Sequence, residues 1–223
     1  TGTQSGNYSL TIQSAASATI TAATLTPTIT NTGVTKVYDG GMSSGITPTY
    51  SFSGLVSGDT AAVLTNTGIA YNSKDVADAT TVTVSGLAIS SITGNKGSVA
   101  GDYALSATSK TVAGVITAKA LTMSGLSVAS SRAYDGTTGA TVIGTAALQT
   151  AQSTGTGTTS DGKPYTGDTV SITGTAVGTY DSAHVADASS VTFSGLSLTG
   201  TQSGNYSLTI QSAASATITA ATL

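Results

Sequence analysis

The chain has 223 residues, a net charge of −3, only 8% charged residues, 27 glycines, and neither cysteine nor tryptophan. All of its acids are aspartate, and it carries one histidine and one arginine. That inventory excludes a disulfide scaffold, a thiol enzyme, a Cys-type zinc site and a basic nucleic-acid binder, and it leaves little material for any catalytic centre.

Taken in chain order, the apolar residues fall into strand patterns. Tyr8, Leu10 and Ile12 alternate with polar residues over Tyr8–Gln13, and Ser17–Leu25 follows as a second strand-like segment. Val82 and Val84 alternate in the same way, then Val115–Leu121, then Val170 with Ile172, Val191 with Phe193, and Tyr206 with Leu208 and Ile210. A period of two with threonine and β-branched enrichment predicts half-buried strands. No segment carries a helical period; Asp75–Thr80 is expected to form one short turn. The low net charge and this periodicity predict a folded chain with thin cores rather than a disordered one. No run approaches a membrane span, so no membrane insertion is expected. Thr1 opens directly into strand-like sequence without a signal peptide, which predicts a mature or excised chain.

Self-similarity organises the rest. Residues 1–25 recur without change as residues 199–223, at an offset of 198. A weaker repeat lies inside that unit. Val37-Tyr38-Asp39-Gly40 answers Ala133-Tyr134-Asp135-Gly136 at an offset of 96. Ser57-Gly58-Asp59-Thr60 answers Thr166-Gly167-Asp168-Thr169 at 109, and the same offset relates Val76-Ala77-Asp78-Ala79 to Val185-Ala186-Asp187-Ala188 and Val84-Ser85-Gly86-Leu87 to Phe193-Ser194-Gly195-Leu196. Gly101-Asp102-Tyr103 answers Gly204-Asn205-Tyr206 at 103, and Ile116-Thr117-Ala118 answers Ile218-Thr219-Ala220 at 102. The changes in offset locate insertions at Thr154–Pro164 and at Ser91–Val99, both expected to be exposed loops. The expected organisation is therefore residues 1–25 as the last strands of a preceding module, a first module over 26–121 and a second over 122–223. With no Pro- or Gly-rich linker between them, the modules are expected to form a rod.

This ordered string of motifs, [VA]-Y-D-G, GDT, VADA, SGL, GDY or GNY and ITA, resembles the YDG-type repeats of large bacterial surface and secreted adhesins, the filamentous-haemagglutinin-like exoproteins. The resemblance spans both modules. It implies all-β, β-sandwich-like modules, Ig-like or β-grasp-related, without catalytic residues, at the bacterial cell surface or in an extracellular matrix. It also implies a stalk or fibre whose partner is self, as a tandem array or homopolymeric fibre.

The YDG residues Tyr38, Asp39 and Gly40, and Tyr134, Asp135 and Gly136, read as structural. Tyrosine supplies buried area and a hydroxyl that seeks a partner. Aspartate before glycine suits a tight turn. Calcium is the cofactor weighed against this reading, through Asp75 with Asp78 and Asp181 with Asp187, aided by Asp39 and Asp135 across a junction; but no D-x-D-x-D-G loop exists, and turn-forming aspartates are preferred. A Lys–Asn isopeptide bond finds no lysine common to both modules, since Lys36 aligns with Arg132. His184 aligns with Asp75 and is expected at the surface. Threonine-rich TATIT and TPTIT lack the short coil period of an ice-binding solenoid. The competing function is a ligand-binding adhesin module that meets a surface glycan or host protein through Thr154–Pro164 and Ser91–Val99. Finally, Tyr8, Leu10, Ile12 and Ile20 form an apolar row that is expected either to pair with another unit or to belong to a longer array.

Overall fold

The computed structural model describes residues 2–222 and is nearly all β, with 48% strand and 4% helix, in several curled sheets. The first nine strands are β1 (Ala23–Ile29), β2 (Val34–Val37), β3 (Tyr50–Ser53), β4 (Asp59–Thr65), β5 (Gly68–Tyr71), β6 (Thr81–Ser85), β7 (Ala88–Gly94), β8 (Tyr103–Leu105) and β9 (Ser109–Thr117). The second nine are β10 (Lys119–Val128), β11 (Ser131–Ala133), β12 (Gly139–Ala140), β13 (Val142–Leu148), β14 (Ser171–Tyr180), β15 (Ser190–Thr199), β16 (Tyr206–Thr209), β17 (Ala214–Ser215) and β18 (Thr217–Thr219). The short turn expected over Asp75–Thr80 is a turn and not a helix. Among the described residues no helix is long and apolar enough to cross a membrane.

The two sets of strands repeat one plan. In the first, β1 sits between β3, antiparallel, and β8, parallel, with Leu25 opposite Leu105. In the second, β10 sits between β13, antiparallel, and β16, parallel, with Leu121 opposite Leu208. Likewise β2 runs parallel to β9 with Lys36 opposite Ile116, and β11 runs parallel to β18 with Arg132 opposite Ile218. The opening strand of each module is thus held by its closing strands. The two separate pairs β4–β7 and β5–β6 become one long hairpin, β14–β15, in the second module. The register of that hairpin shifts between Gly174 and Val177. Gly195 of the SGL motif faces this shift at φ +81°, where a Cβ would overlap the Thr175 carbonyl. Glycine therefore allows the two backbones to approach where the hairpin bends.

Period-two burial is visible along β6, where Val82 and Val84 are buried between half-buried neighbours, and along β15, where Val191 and Phe193 are buried. One core gathers Val34, Tyr38, Tyr71, Val82 and Ile116 from the first module with Leu121, Tyr165 and Tyr206 from the second. Two smaller cores lie wholly within the second module, around Tyr180, Val191 and Ile218 and around Met123, Leu126 and Phe193. The boundaries expected after residues 25 and 121 fall inside β1 and β10, so the modules are divided here before Ala23 and at Ala118, which alone separates β9 from β10; the first core crosses that junction.

Residues 8–22 do not form the expected strands; they have no regular structure, and Tyr8, Leu10, Ile12 and Ile20 are 82–102% exposed. The same residues at the other end form β16 and β18, where Tyr206 and Ile218 are buried. The difference lies in the partners. β16 pairs with β10 and β18 with β11, whereas among the described residues no strand pairs with residues 8–22. Two strands without a third are marginal in water.

Candidate functional site

Each YDG motif closes a turn around a cation. Lys36 donates to Asp39 Oδ1 at 2.6 Å and to the Gly41 carbonyl at 2.7 Å, while Gly41 N–H donates to Asp39 Oδ1 at 2.9 Å. In the second module Arg132 pairs with Asp135 and donates to the Thr137 carbonyl, and Thr137 N–H donates to Asp135 Oδ1 at 2.9 Å. Lys36 also lies 5.5 Å from the Tyr71 ring centroid, and Arg132 lies 5.0 Å from that of Tyr180. The aspartate is thus the acceptor of a charge-assisted turn, with the cation covered by an aromatic face. The Arg132 guanidinium first, then the Thr137 N–H and hydroxyl, hold the Asp135 carboxyl at about 2. Gly40 and Gly136 both take positive φ, +77° and +80°. At Gly40 a Cβ would also overlap Thr154 Cγ2 of the second module.

The tyrosines of the two motifs fare differently. Tyr134 is 43% exposed, but Tyr38 is 0% exposed because it enters the second module. Its hydroxyl donates to Asp168 Oδ2 at 2.9 Å, and its ring meets Tyr206 edge-on at 5.3 Å between centroids and Tyr165 at 5.8 Å. Tyr206 donates to the same Asp168 oxygen at 2.5 Å and accepts from Tyr165 N–H at 3.0 Å. Burial first, then the bond to the Asp168 carboxylate, pushes the ionisation of both Tyr38 and Tyr206 far above the ordinary tyrosine range. Beside this cluster, Asn205 accepts from Val76 N–H at 2.8 Å and donates to Asp75 Oδ1 at 2.7 Å. The GDT and GNY motifs of one module therefore receive the YDG and VADA motifs of the other. The sequence carried each motif; their meeting across the junction was not in it.

The insertion at Thr154–Pro164 is only partly the exposed loop expected. Thr154–Ser160 is largely exposed, but Gly162, Pro164 and the following Tyr165 are buried. The cause is Lys119, fully buried at the start of β10, which donates to Asp161 Oδ1 at 2.6 Å and to the Lys163 carbonyl at 2.5 Å and lies 4.6 Å from the Tyr165 ring. Burial pushes the Asp161 carboxyl up, but Lys119, Lys163 N–H and Gln152 outweigh it and hold the group well below the usual carboxylate range. Ala23 occupies the position of Lys119 in the first module, so the lysine and the insertion that answers it occur together.

Several of the acids weighed for calcium accept hydrogen bonds from protein groups. Asp181 accepts from Ser189 N–H, Ser189 Oγ and Ser190 Oγ, and Asp75 is held by Asn205. Among the described residues no three histidine or acid side chains converge as metal ligands do. His184 is exposed, as expected. Ser91–Val99 is exposed too, apart from half-buried Ile92 and Ser98, although its first residues belong to β7.

A family model described as the YDG domain matches the chain twice, over residues 21–111 and 117–216. No curated protein and no solved structure matches it. The two matches divide between residues 111 and 117, just before Ala118, and together span most of the sequence, so the chain belongs to the YDG domain family, present here as two copies.

Proposed function

We propose that this chain is a structural repeat region of an extracellular bacterial adhesin or matrix fibre, working as a stalk of tandem β-sandwich-like modules in a rod. The observation that carries the reading is the junction. One residue separates the last strand of the first module from the first strand of the second, and Tyr38 is buried among Tyr165, Tyr206 and Asp168 on the far side. A junction that buries an aromatic side chain and bonds its hydroxyl to a carboxylate resists bending; a flexible linker does not. The parallel pairing of opening and closing strands favours the β-grasp-related form of the module, because Ig-like sandwiches are antiparallel. The mechanism is mechanical, and the partner is self, in an array or homopolymeric fibre.

Electron microscopy of the native protein on its source cells tests this. Long filaments of even bead spacing are expected, and isolated globules would overturn it. The competing reading, binding of a glycan or host protein through variable loops, keeps Ser91–Val99 and the outer part of Thr154–Pro164. Deleting Lys96–Ser98, which lie beyond β7, is expected to leave adhesion unchanged; lost adhesion with intact filaments would favour binding.

A further inference from the structure

The contact at Ala118 has two unmatched halves elsewhere in the molecule. Module one contributes Tyr38, Asp75 and Val76 to it, and their counterparts at the far end of module two are Tyr134, His184 and Val185. Module two contributes Asp168, Tyr206, Tyr165 and Asn205, and their counterparts on the near face of module one are Asp59, Tyr103, Val56 and Asp102. Both remaining halves have members that face solvent. Tyr134 and Val185 are each 43% exposed, and Val56 is 52% exposed where its counterpart Tyr165 is 2%.

The near face of module one is already built. Tyr103 donates to Asp59 Oδ2 at 2.6 Å and accepts from Val56 N–H at 2.9 Å, reproducing Tyr206 with Asp168 and Tyr165. Asp168 Oδ2 receives a second hydroxyl, from Tyr38, whereas Asp59 Oδ2 receives only that of Tyr103. A groove of about 400 Å³ lies beside Tyr103, lined also by Ile20, Ala23, Val56 and Asp102 among others.

The polar pair beside the tyrosine is exchanged in a complementary sense. At Ala118 the pair is Asp75 with Asn205, in which Asn205 supplies the donor and Asp75 the acceptor. At the other two faces the residues are His184 and Asp102. Asp102 is a pure acceptor with one oxygen already held by Val99 N–H at 2.8 Å, so the residue opposite must donate. An imidazole N–H does so. Asp75 in that place would set two carboxylates face to face, which costs rather than stabilises.

We propose that the Tyr134 end of module two docks on the Asp59–Tyr103 face of a second copy of this two-module unit, with Tyr134 donating to Asp59 and His184 to Asp102. The contact is heterologous, joining different faces of successive units head to tail. The His184–Asp102 and Asp75–Asn205 pairs also disfavour two first modules in succession, which would meet as Asp75 against Asp102. The inference rests on the stalk reading above and names the partner of its end faces.

The test uses a doubled chain in which residues 26–223 are appended after Leu223, so that the shared segment becomes the junction. Tyrosine nitration with peptide mapping is read at Tyr134 and Tyr38. In the single chain Tyr134 is expected to react and Tyr38 to be protected. In the doubled chain nitration of the Tyr134 peptide is expected to fall about twofold, since one of its two copies becomes covered. Full reactivity of Tyr134 while Tyr38 stays protected would overturn the docking, and Tyr38 protection certifies that the modules are folded. His184→Asp in the first copy is expected to restore full reactivity and His184→Asn to keep the protection; retained protection in His184→Asp would overturn the pairing with Asp102. Filaments in the micrographs without Tyr134 protection would sink this contact alone. Protection without filaments would sink the stalk reading alone.

Discussion

The junction makes a quantitative demand on Tyr38. Its ring is fully buried against Tyr165 and Tyr206, and its hydroxyl gives Asp168 one of two tyrosine hydrogen bonds. Tyr38→Phe keeps the ring and removes a bond to a charged acceptor, so a loss of about 1.5 kcal/mol is expected; it stays at the low end of such bonds because Tyr206 still satisfies the carboxylate. Tyr38→Ala also removes the ring and leaves a cavity, for about 4 kcal/mol in all. Tyr134→Ala, at the exposed counterpart, is expected to cost less than about 1 kcal/mol. Urea denaturation followed by tyrosine fluorescence is a clean assay, because the chain has no tryptophan. A double-mutant cycle of Tyr38→Phe with Asp168→Asn isolates the contact, with a coupling of about 1 kcal/mol expected. Coupling within about 0.3 kcal/mol of zero, or equal losses for Tyr38→Ala and Tyr134→Ala, would refute the claim that the modules are bonded through this residue.

Alkaline titration should open the same junction. Tyr38 and Tyr206 ionise far higher folded than unfolded, so their contribution is complete below the unfolded value near about 10 and declines as pH rises above it. Tyrosinate absorbance should therefore lag, most of all for Tyr38 and Tyr206, whose share appears with unfolding; smooth titration of every tyrosine in a folded chain would contradict this. Lys119→Ala strands Asp161 and its loop, and about 3 kcal/mol of destabilisation is expected in denaturant, with Lys119→Met recovering part of it. If Lys119→Ala melts like the parent, the buried pair does not hold the insertion. Gly40→Ala and Gly136→Ala share a positive φ, but only the former meets Thr154. Both should lose about 1 kcal/mol from the backbone, with a further loss at Gly40 alone that Thr154→Gly relieves.

Much of the fold can be read from local pattern, and the site from very little of it. The alternation along Val82–Val84 and Val191–Phe193 marks strands because one sheet face is buried, and Asp-Gly in the YDG motifs marks turns because its chemistry is local. Tyr38 bonding to Asp168 is a contact over 130 residues, and no periodicity encodes it. The burial of Asp161–Tyr165 was hidden for a related reason: a polar, glycine-containing insertion reads as solvated unless its buried partner is known. A signal was nevertheless present. Lys119 stands alone in an otherwise apolar strand opening where the first module has Ala23, and only the module with that lysine has the insertion carrying Asp161.

The repeated segment separates what local sequence decides from what partners decide. Ser5–Asn7 and Ser203–Asn205 both form the same 3₁₀ turn, whose bonds close within three residues. Immediately afterwards the copies diverge: Tyr206 is buried in β16 beside β10, while Tyr8 is 83% exposed. Identical side chains with different burial cannot owe the difference to propensity, so the strand state comes from the edges that β10 and β11 offer. Those edges belong to the start of the same module, because each opening strand pairs with its own closing strands in parallel. A module is therefore completed by the last quarter of its sequence, and the next module begins one residue later at the place of Ala118. An array built on this plan lengthens by whole modules without altering any contact inside one, and the low charge of the chain puts little repulsion between the faces that meet.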